Sequence, residues 1–315
     1  MIDYSLKKLV QLVITTFGVV TLVFFTLRLI PGDAASAMAG DTLSGDALEA
    51  LREQMGLNEP LFRQYLDYLS SLARFDLGET ITTRIPISEL LLKAVPITMT
   101  IAVSTIVLTV LIAIPLGTLA AFMAHKGRKT LDNFLTGTAM ILDLMPSFWT
   151  ALVFLLLFSL TLGWFPASGM VSWDDPWALM QRIALPVLVL SVTQVATMAR
   201  ITRTSVLEIL SEDYVRTARS MGWSELRVLF RHALKNAALP IVTVIGLSFG
   251  NLLNGTVIVE FIFTVPGVGN LLITGINSRD YQMVQTLIVF YALLFVTINF
   301  ATDLVYRSLD PRVKF

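Results

Sequence analysis

The 315-residue chain has no cysteine and only two histidines, and charged residues make up just 15% of it. Without cysteine there can be no disulfide and no thiolate metal site, which leaves the compartment undetermined. His125 and His232 lie far apart with no ligand spacing around either, so no metal centre is expected. A phosphate-binding loop of the form GxxxxGKS or GxxxxGKT is missing, as is HExxH, and no catalytic residue is expected. Lysine plus arginine equal aspartate plus glutamate at 23 each, so net charge gives no reason to expect nucleic acid as a partner.

What the chain has instead is apolar residue, 55% of the total, with a mean hydropathy of +0.73. So little charge does not coat a soluble globule of this size, and the expected solvent is a bilayer. A bilayer core takes about 20 apolar residues per helix. Six stretches qualify: Leu9 to Leu27, Val95 to Ala124, Leu131 to Leu162 with Asp143 inside it, Ile183 to Met198, Leu239 to Val259, and Met283 to Val305. Pro96, Pro186 and Pro240 stand near the starts of three of these, where a missing amide proton costs little. The expected class is an all-α integral membrane protein with six transmembrane helices.

Orientation follows from where Lys and Arg collect in short connections. Lys7 and Lys8 precede the first stretch, and Lys126, Arg128 and Lys129 join the second to the third. Arg200, Arg203, Arg216, Arg219, Arg227, Arg231 and Lys235 crowd the fourth connection, and Arg307, Arg312 and Lys314 close the chain. With six alternating helices all of these share one side, which places both termini in the cytoplasm. The segment from Pro31 to Lys93, with about twice as many acids as bases, then faces out. Residues 1–30 read as a first transmembrane helix, 31–94 as a periplasmic segment with short amphipathic helices, and 95–315 as a five-helix core with a cytoplasmic loop at about 200–239. Ala37-Met38-Ala39 imitates a signal cleavage site, but the apolar run before it is longer than a signal core and Arg28 and Pro31 intervene, so an uncleaved anchor is expected.

In the outer segment, Asp46 to Met55 reads as a short helix stopped by Gly56, and Asn58-Glu59-Pro60 starts another. Leu61, Tyr65, Tyr68, Leu69 and Leu72 form its apolar stripe, which suits a surface lid or a platform for an extracytoplasmic delivery protein. The cytoplasmic loop is far longer than two adjacent spans need. Ser211 is placed to cap a short helix carrying Glu212 and Asp213 in its first turn, with Tyr214, Ala218 and Met221 on one face and an end at Gly222. A second helix starts at Ser224-Glu225, with Leu226, Leu229, Phe230, Ala233, Leu234 and Ala237 on one face and Arg227, Arg231 and Lys235 on the other. The basic face suits lipid phosphates. The polar short helix has no packing reason to exist unless another protein grips it.

Within the bilayer, ionisable and polar groups mark cavities or interhelical contacts. Asp143 stands just before Met145-Pro146, where an opened helix offers backbone carbonyls or, equally, a hydrogen bond to a neighbouring helix. Glu260, preceded by Asn251, Asn254 and Thr256, either meets a solute's amino group or braces the Pro266-Gly267 loop. Asp143, Asn251, Asn254 and Glu260 are the candidates for a translocation pathway. Gly246 and Gly250 form a small-xxx-small pair suited to close helix packing, within the chain or against a second permease.

The run from Asp213 to Gly222, followed by His232-Ala233-Leu234-Lys235-Asn236-Ala237-Ala238-Leu239-Pro240, resembles the cytoplasmic loop of binding-protein-dependent ABC importer permeases of the dipeptide, oligopeptide and nickel subgroup. Against the general importer pattern this chain has Arg216-Thr217-Ala218 for Glu-Ala-Ala, keeps Gly222, and brings Leu239-Pro240 five residues late, departures that the peptide subgroup shares. Pro31-Gly32-Asp33, Met55 to Pro60 with Gln64-Tyr65, and Phe75-Asp76-Leu77-Gly78 resemble the outer segment of the B-type permease. Glu260 to Gly269 and Arg279-Asp280-Tyr281 resemble the segment after its fifth span. The resemblance implies a type I importer permease fold in the bacterial inner membrane and no cofactor in this chain. It also implies ATP and Mg on two partner ATPase subunits, a second (C-type) permease, a periplasmic substrate-binding protein, and half of a pore for peptides or similar small solutes. Asp213, Tyr214, Arg216, Thr217, Ala218 and Gly222 would then couple to an ATPase. The competing reading is a secondary carrier or channel working without ATP, which leaves the capped loop helix without purpose; a membrane enzyme is the third. Purified chain alone is expected to release no phosphate from ATP, and robust turnover would contradict the permease reading.

Overall fold

The computed structural model describes residues 2–29, 35–36, 45–54, 56–81, 83–169 and 173–309. Pro31-Gly32-Asp33, Ala37-Met38-Ala39, Met55, Arg312 and Lys314 lie outside the described residues. The helices, in order, are α1 (Ile2–Leu29), α2 (Gly45–Gln54), α3 (Leu61–Ala73), α4 (Ile87–His125), α5 (Lys129–Asp143), α6 (Ser147–Phe154) and α7 (Pro176–Leu210). Then come α8 (Asp213–Ser220), α9 (Glu225–Arg227), α10 (Lys235–Ile262), α11 (Val268–Asn277) and α12 (Tyr281–Leu309). Wide π-helical turns extend α6 over Leu155–Thr161 and join α9 to α10 over Val228–Leu234. An isolated Glu79–Pro86 bridge is the one β pairing among the described residues.

This all-helical outcome is what a bilayer demands, since backbone groups in lipid must bond within their own segment. Five helices are long and apolar enough to cross a membrane: the Val10–Leu29 part of α1, α4, α7, the Pro240–Ile262 part of α10 and the Tyr281–Thr302 part of α12. The sixth expected span is broken. Asp132–Asp143 and Ser147–Thr161 meet at 98° across Leu144-Met145-Pro146, and count as one span only if taken together. Pro146 explains the site of the break: it lacks an amide proton, and its ring pushes Met145 away from helical geometry. Pro96 and Pro186, expected near span starts, lie inside helices that begin at Ile87 and Pro176, while Pro240 opens the membrane-crossing part of a helix that begins at Lys235. Apolar runs report the membrane-crossing part of a helix and miss its polar ends. The proline that does open a helix is Pro176, where Asp175 Oδ1 accepts from the amides of Trp177 and Ala178 at 3.0 Å each.

The chain forms two compact units, each built from two separate stretches. The first comprises residues 1–98 and 266–297. Here the α3 stripe packs on other helices: Tyr68, Leu69 and Leu72 meet Val20 and Val23 of α1 and Val289 of α12. Phe24 is fully buried, edge-on to Tyr65 and stacked on Tyr68, and the Tyr65 and Thr21 hydroxyls are 2.6 Å apart. Leu61, at the outer end of the expected stripe, is exposed. A second cluster joins Ile87, Leu91 and Ala94 of α4 to Val268 of α11 and Met283 and Leu287 of α12.

One aspartate ties this unit together. Asp280, fully buried, caps α12 by accepting from the Met283 amide at 2.9 Å, and its other oxygen accepts from the Ile81 amide at 2.7 Å, 199 residues away in sequence. The adjoining turn is held by Gln282 and Thr286 of α12, which both donate to the Leu77 carbonyl. Gly78 has φ +74, and a Cβ there would stand 2.7 Å from Gln282 Nε2.

The second unit comprises residues 99–265 and 298–315. Its core at the loop end joins Ala121 of α4, Val206 and Leu210 of α7, Val215 and Ala218 of α8, and Val228, Leu229, Ala233, Ala237 and Ile241 from the run into α10. Gly117 lets α4 touch α7, since a Cβ there would lie 2.4 Å from the Ala199 carbonyl oxygen. Gly246 packs on Thr302 of α12 in the same unit, so its small size serves packing within the chain.

Asp280→Ala removes a cap worth about 1 kcal/mol and leaves the Ile81 amide without its acceptor, a further loss of about 1–3 kcal/mol. Trypsin is therefore expected to cut after exposed Arg84 faster in Asp280→Ala than in wild type, with Asp280→Asn intermediate. Equal cleavage rates would show that Asp280 does not hold the turn.

Candidate functional site

The sequence candidates fall into three places: the short loop helix, the bent third span, and the face of α10. The loop helix α8 has eight residues, Asp213 to Ser220, with Glu212 in extended backbone before it and no side-chain cap. Ser211 terminates α7 instead, its hydroxyl donating to the Glu208 carbonyl at 2.7 Å. The expected apolar face also turns out differently. Val215 and Ala218 point into the core, whereas Tyr214 is 42% exposed and Met221 72% exposed. Val215 and Ala218 have the i, i+3 spacing of a core stripe, and the larger side chains were mistaken for it. Gly222 ends the element with φ +82, the left-handed geometry that glycine takes without strain, and nothing lies within 4 Å of where its Cβ would be.

Past the turn, Leu226 and Phe230, expected on the apolar face of a membrane-surface helix, are 62% and 60% exposed, while Val228, Leu229, Ala233 and Ala237 are buried. The wide π turn over Val228–Leu234 shifts the register that a 3.6-residue period assumes. Asn236 donates to the Tyr214 hydroxyl at 2.9 Å, and Arg219 pairs with Glu225 at 3.3 Å, so α8 is fastened to the start of the helix that follows it. Asp213 and Arg216 form an exposed pair at 3.3 Å, and the Thr217 hydroxyl bonds back to the Asp213 carbonyl. The outward surface of α8 is thus Asp213, Tyr214, Arg216 and Thr217, with Met221 beside Gly222.

Asp143 ends α5 at the break and is held by α7: the Thr197 hydroxyl donates to one carboxylate oxygen at 2.6 Å and Arg200 to the other at 3.0 Å. Asp132, at the other end of α5, receives both Nε and an Nη of Arg203 at 2.5 Å each and is 7% exposed. Along α5 the two acids lie about 16 Å apart and along α7 the two arginines only about 4.5 Å, a mismatch that the long arginine stems absorb. Both arginines border an apolar cavity of about 120 Å³ lined by α4, α5 and α7. Sequence reasoning missed Asp132 and took Arg200 and Arg203 for loop charges. The available signal was an acid at each end of one apolar stretch matched by arginines a turn apart on the next.

On α10, Asn251 and Asn254 are exposed on one face with Leu247, Ile258 and Phe261. Glu260 is on the opposite face and fully buried, and its carbonyl accepts from the Val265 amide at 2.9 Å. The structure therefore groups the two asparagines and separates them from Glu260. Against the expectation that no G-x-S-x-G constellation supports an enzyme, the letters Gly246-Leu247-Ser248-Phe249-Gly250 do fit that pattern, but they lie inside α10 and form no strand-to-helix elbow for a hydrolase nucleophile. Among the described residues no group of three or more His, Cys, Asp or Glu is placed to hold a metal.

The loop-bearing unit is a bent, multispan helical assembly with a short helix between two of its long ones. The fold is similar to that of a chain in the inward-facing MetNI methionine ABC transporter, with a TM-score of 0.60 at 17% identity over 71% of this chain and 98% of that one. Residues 113–315 match the family of binding-protein-dependent transport system inner membrane components, and residues 1–102 match its N-terminal region. A Brucella abortus protein named, provisionally, as a peptide transport system permease is 37% identical over 98% of both chains. The glutathione transport system permease GsiC of Escherichia coli K12 is 34% identical over the full length of both. The chain belongs to the binding-protein-dependent transport system inner membrane component family. It is a multispan inner-membrane permease component that works with a binding protein and an ATPase on other chains, and is not itself the ATPase. The secondary-carrier reading falls with that assignment.

Removing one partner of the Asp132–Arg203 pair strands a buried charge, at a cost of about 3–5 kcal/mol. Arg203→Met is expected to lower the thermal midpoint of detergent-purified protein markedly, and Asp132→Leu combined with Arg203→Met to recover most of the loss. Additive losses in the double variant would show that the two side chains do not act as a pair.

Proposed function

We infer that this chain is one of two dissimilar permease subunits that together form the pore of a peptide importer, served by two ATPases. The observation that carries this reading is α8. Its inward residues Val215 and Ala218 anchor it to α7 and to the run into α10, while Tyr214 and Met221 remain exposed beside the polar residues Asp213, Arg216 and Thr217. An ATPase cleft that takes this surface would move α8 and α7 as one piece, since both contribute to the same core. ATP-driven closure of the ATPases would draw the loop helices of the two permeases together and turn the pore outward; hydrolysis would reset it.

Asparagines facing lipid would leave amides unsatisfied, so the α10 stripe of Leu247, Asn251, Asn254, Ile258 and Phe261 is assigned to the second permease and the water-filled path between the subunits. Asp143 and Glu260 support this path from behind, Asp143 through Arg200 and Thr197 and Glu260 from within the chain. The cargo class follows the relatives, named for a peptide and for glutathione transport.

The space around Gly222 is open but its φ of +82 strains any side chain, so Gly222→Asp is expected to insert in the membrane, distort the turn after α8 and abolish peptide uptake, with the ATPases either absent from the purified complex or hydrolysing futilely. Undiminished uptake would remove the case for α8 as the coupling element. Purification of tagged wild type from native membranes should also recover a second permease and ATPases.

A further inference from the structure

A pocket of about 750 Å³ opens in the first unit, between the outer end of α1, the helices α2 and α3, the Gly78 turn and the start of α12. Its volume falls in the range of about 300–1,000 Å³ typical of small-ligand sites. Its walls carry both signs of charge. Arg28 lies over the Phe24 ring at 3.5 Å and donates through Nε to Gln64 at 3.1 Å, and it pairs with no carboxylate among the described residues. Asp67 and Glu79 also line the pocket and have no basic partner among the described residues. Asp67 is one turn from Gln64 along α3, so the pocket wall holds an anion and a cation that form no ion pair with each other. Burial pushes the Tyr68 phenol above its ordinary range, against the pull of Gln285 and Arg28, so it stays neutral.

Charges left apart in this way match a ligand with both signs at a short separation. We propose that this pocket is an outer binding site for a short peptide with free termini, its carboxylate on Arg28 and its ammonium group on Asp67 and Glu79. The site rests on the peptide-importer reading and is distinct from the α10 face, which lies in the other unit. It would hold cargo at the membrane's outer side before entry to the pore.

The cysteine-free sequence makes the test direct. Ser71→Cys, on the pocket wall, is labelled with a membrane-impermeant maleimide in the complete transporter reconstituted in liposomes. Trialanine with free termini should slow labelling about tenfold at ten times its half-protecting concentration. N-acetyl-trialanine amide should not protect, and Arg28→Met or Asp67→Asn should raise the half-protecting concentration of trialanine at least tenfold. Equal protection by free and blocked peptide, or by neither, would overturn the proposal. So would protection by the binding protein alone, which would make the pocket a protein contact, or slow labelling without peptide that detergent relieves, which would make it a lipid headgroup site. ATP-driven uptake of mixed di- and tripeptides by the same liposomes is the separate test of cargo: uptake without pocket protection sinks only the pocket, and no uptake by wild type sinks the peptide reading.

Discussion

A carboxylate on an apolar helix has to be paired, and the loop-bearing unit is organised around two that are. At the centre of a membrane helix an unpaired charge costs about 2.5–3.5 kcal/mol on insertion scales. Asp132 and Asp143 meet that demand with Arg203 and Arg200, which fastens both ends of α5 to the same stretch of α7. The second attachment falls just before Leu144-Met145-Pro146, so α5 is held to α7 while the chain turns through 98° into α6. Proline makes the turn possible, and the ion pair fixes which helix the turn belongs to.

α7 ends at Leu210, and after Ser211 and Glu212 α8 begins. Their shared core means that a force on α8 is felt along α7 and, through the two pairs, at the break in the third span. Gly117 and Gly246 bring α4 against α7 and α12 against α10 closely enough that the unit moves as packed helices. A small apolar cavity lies beside Arg200 and Arg203, between α4, α5 and α7. The first unit is fastened differently, through Asp280 joining the start of α12 to the Ile81 turn.

Much of this is legible in the sequence. Charge-free runs located the crossing helices, Gly56 and Gly222 ended the helices they were expected to end, and the long polar connection did contain a short helix. Helix starts were less legible, because α4 and α10 begin in polar turns that hydropathy ignores. The inward face of α8 was misassigned because Tyr214 and Met221 outweigh Val215 in size, and in an eight-residue helix only the neighbours decide which stripe is covered. The π turn over Val228–Leu234 left Leu226 and Phe230 outside by breaking the assumed period. Asp132 and Asp280 act over 71 and 199 residues, and a single sequence does not reveal partners at such distances. Asp280 did carry a local signal, an aspartate immediately before an apolar helix.

Contact between α8 and an ATPase is the most direct test of how this subunit works. A short photoactivatable cross-linker on Met221→Cys, 72% exposed beside the Gly222 turn, should transfer to an ATPase subunit in the intact transporter, with a yield that changes when ATP is bound. Adducts confined to lipid or to this chain, with and without nucleotide, would contradict the account of α8 as the element through which ATP turns the pore.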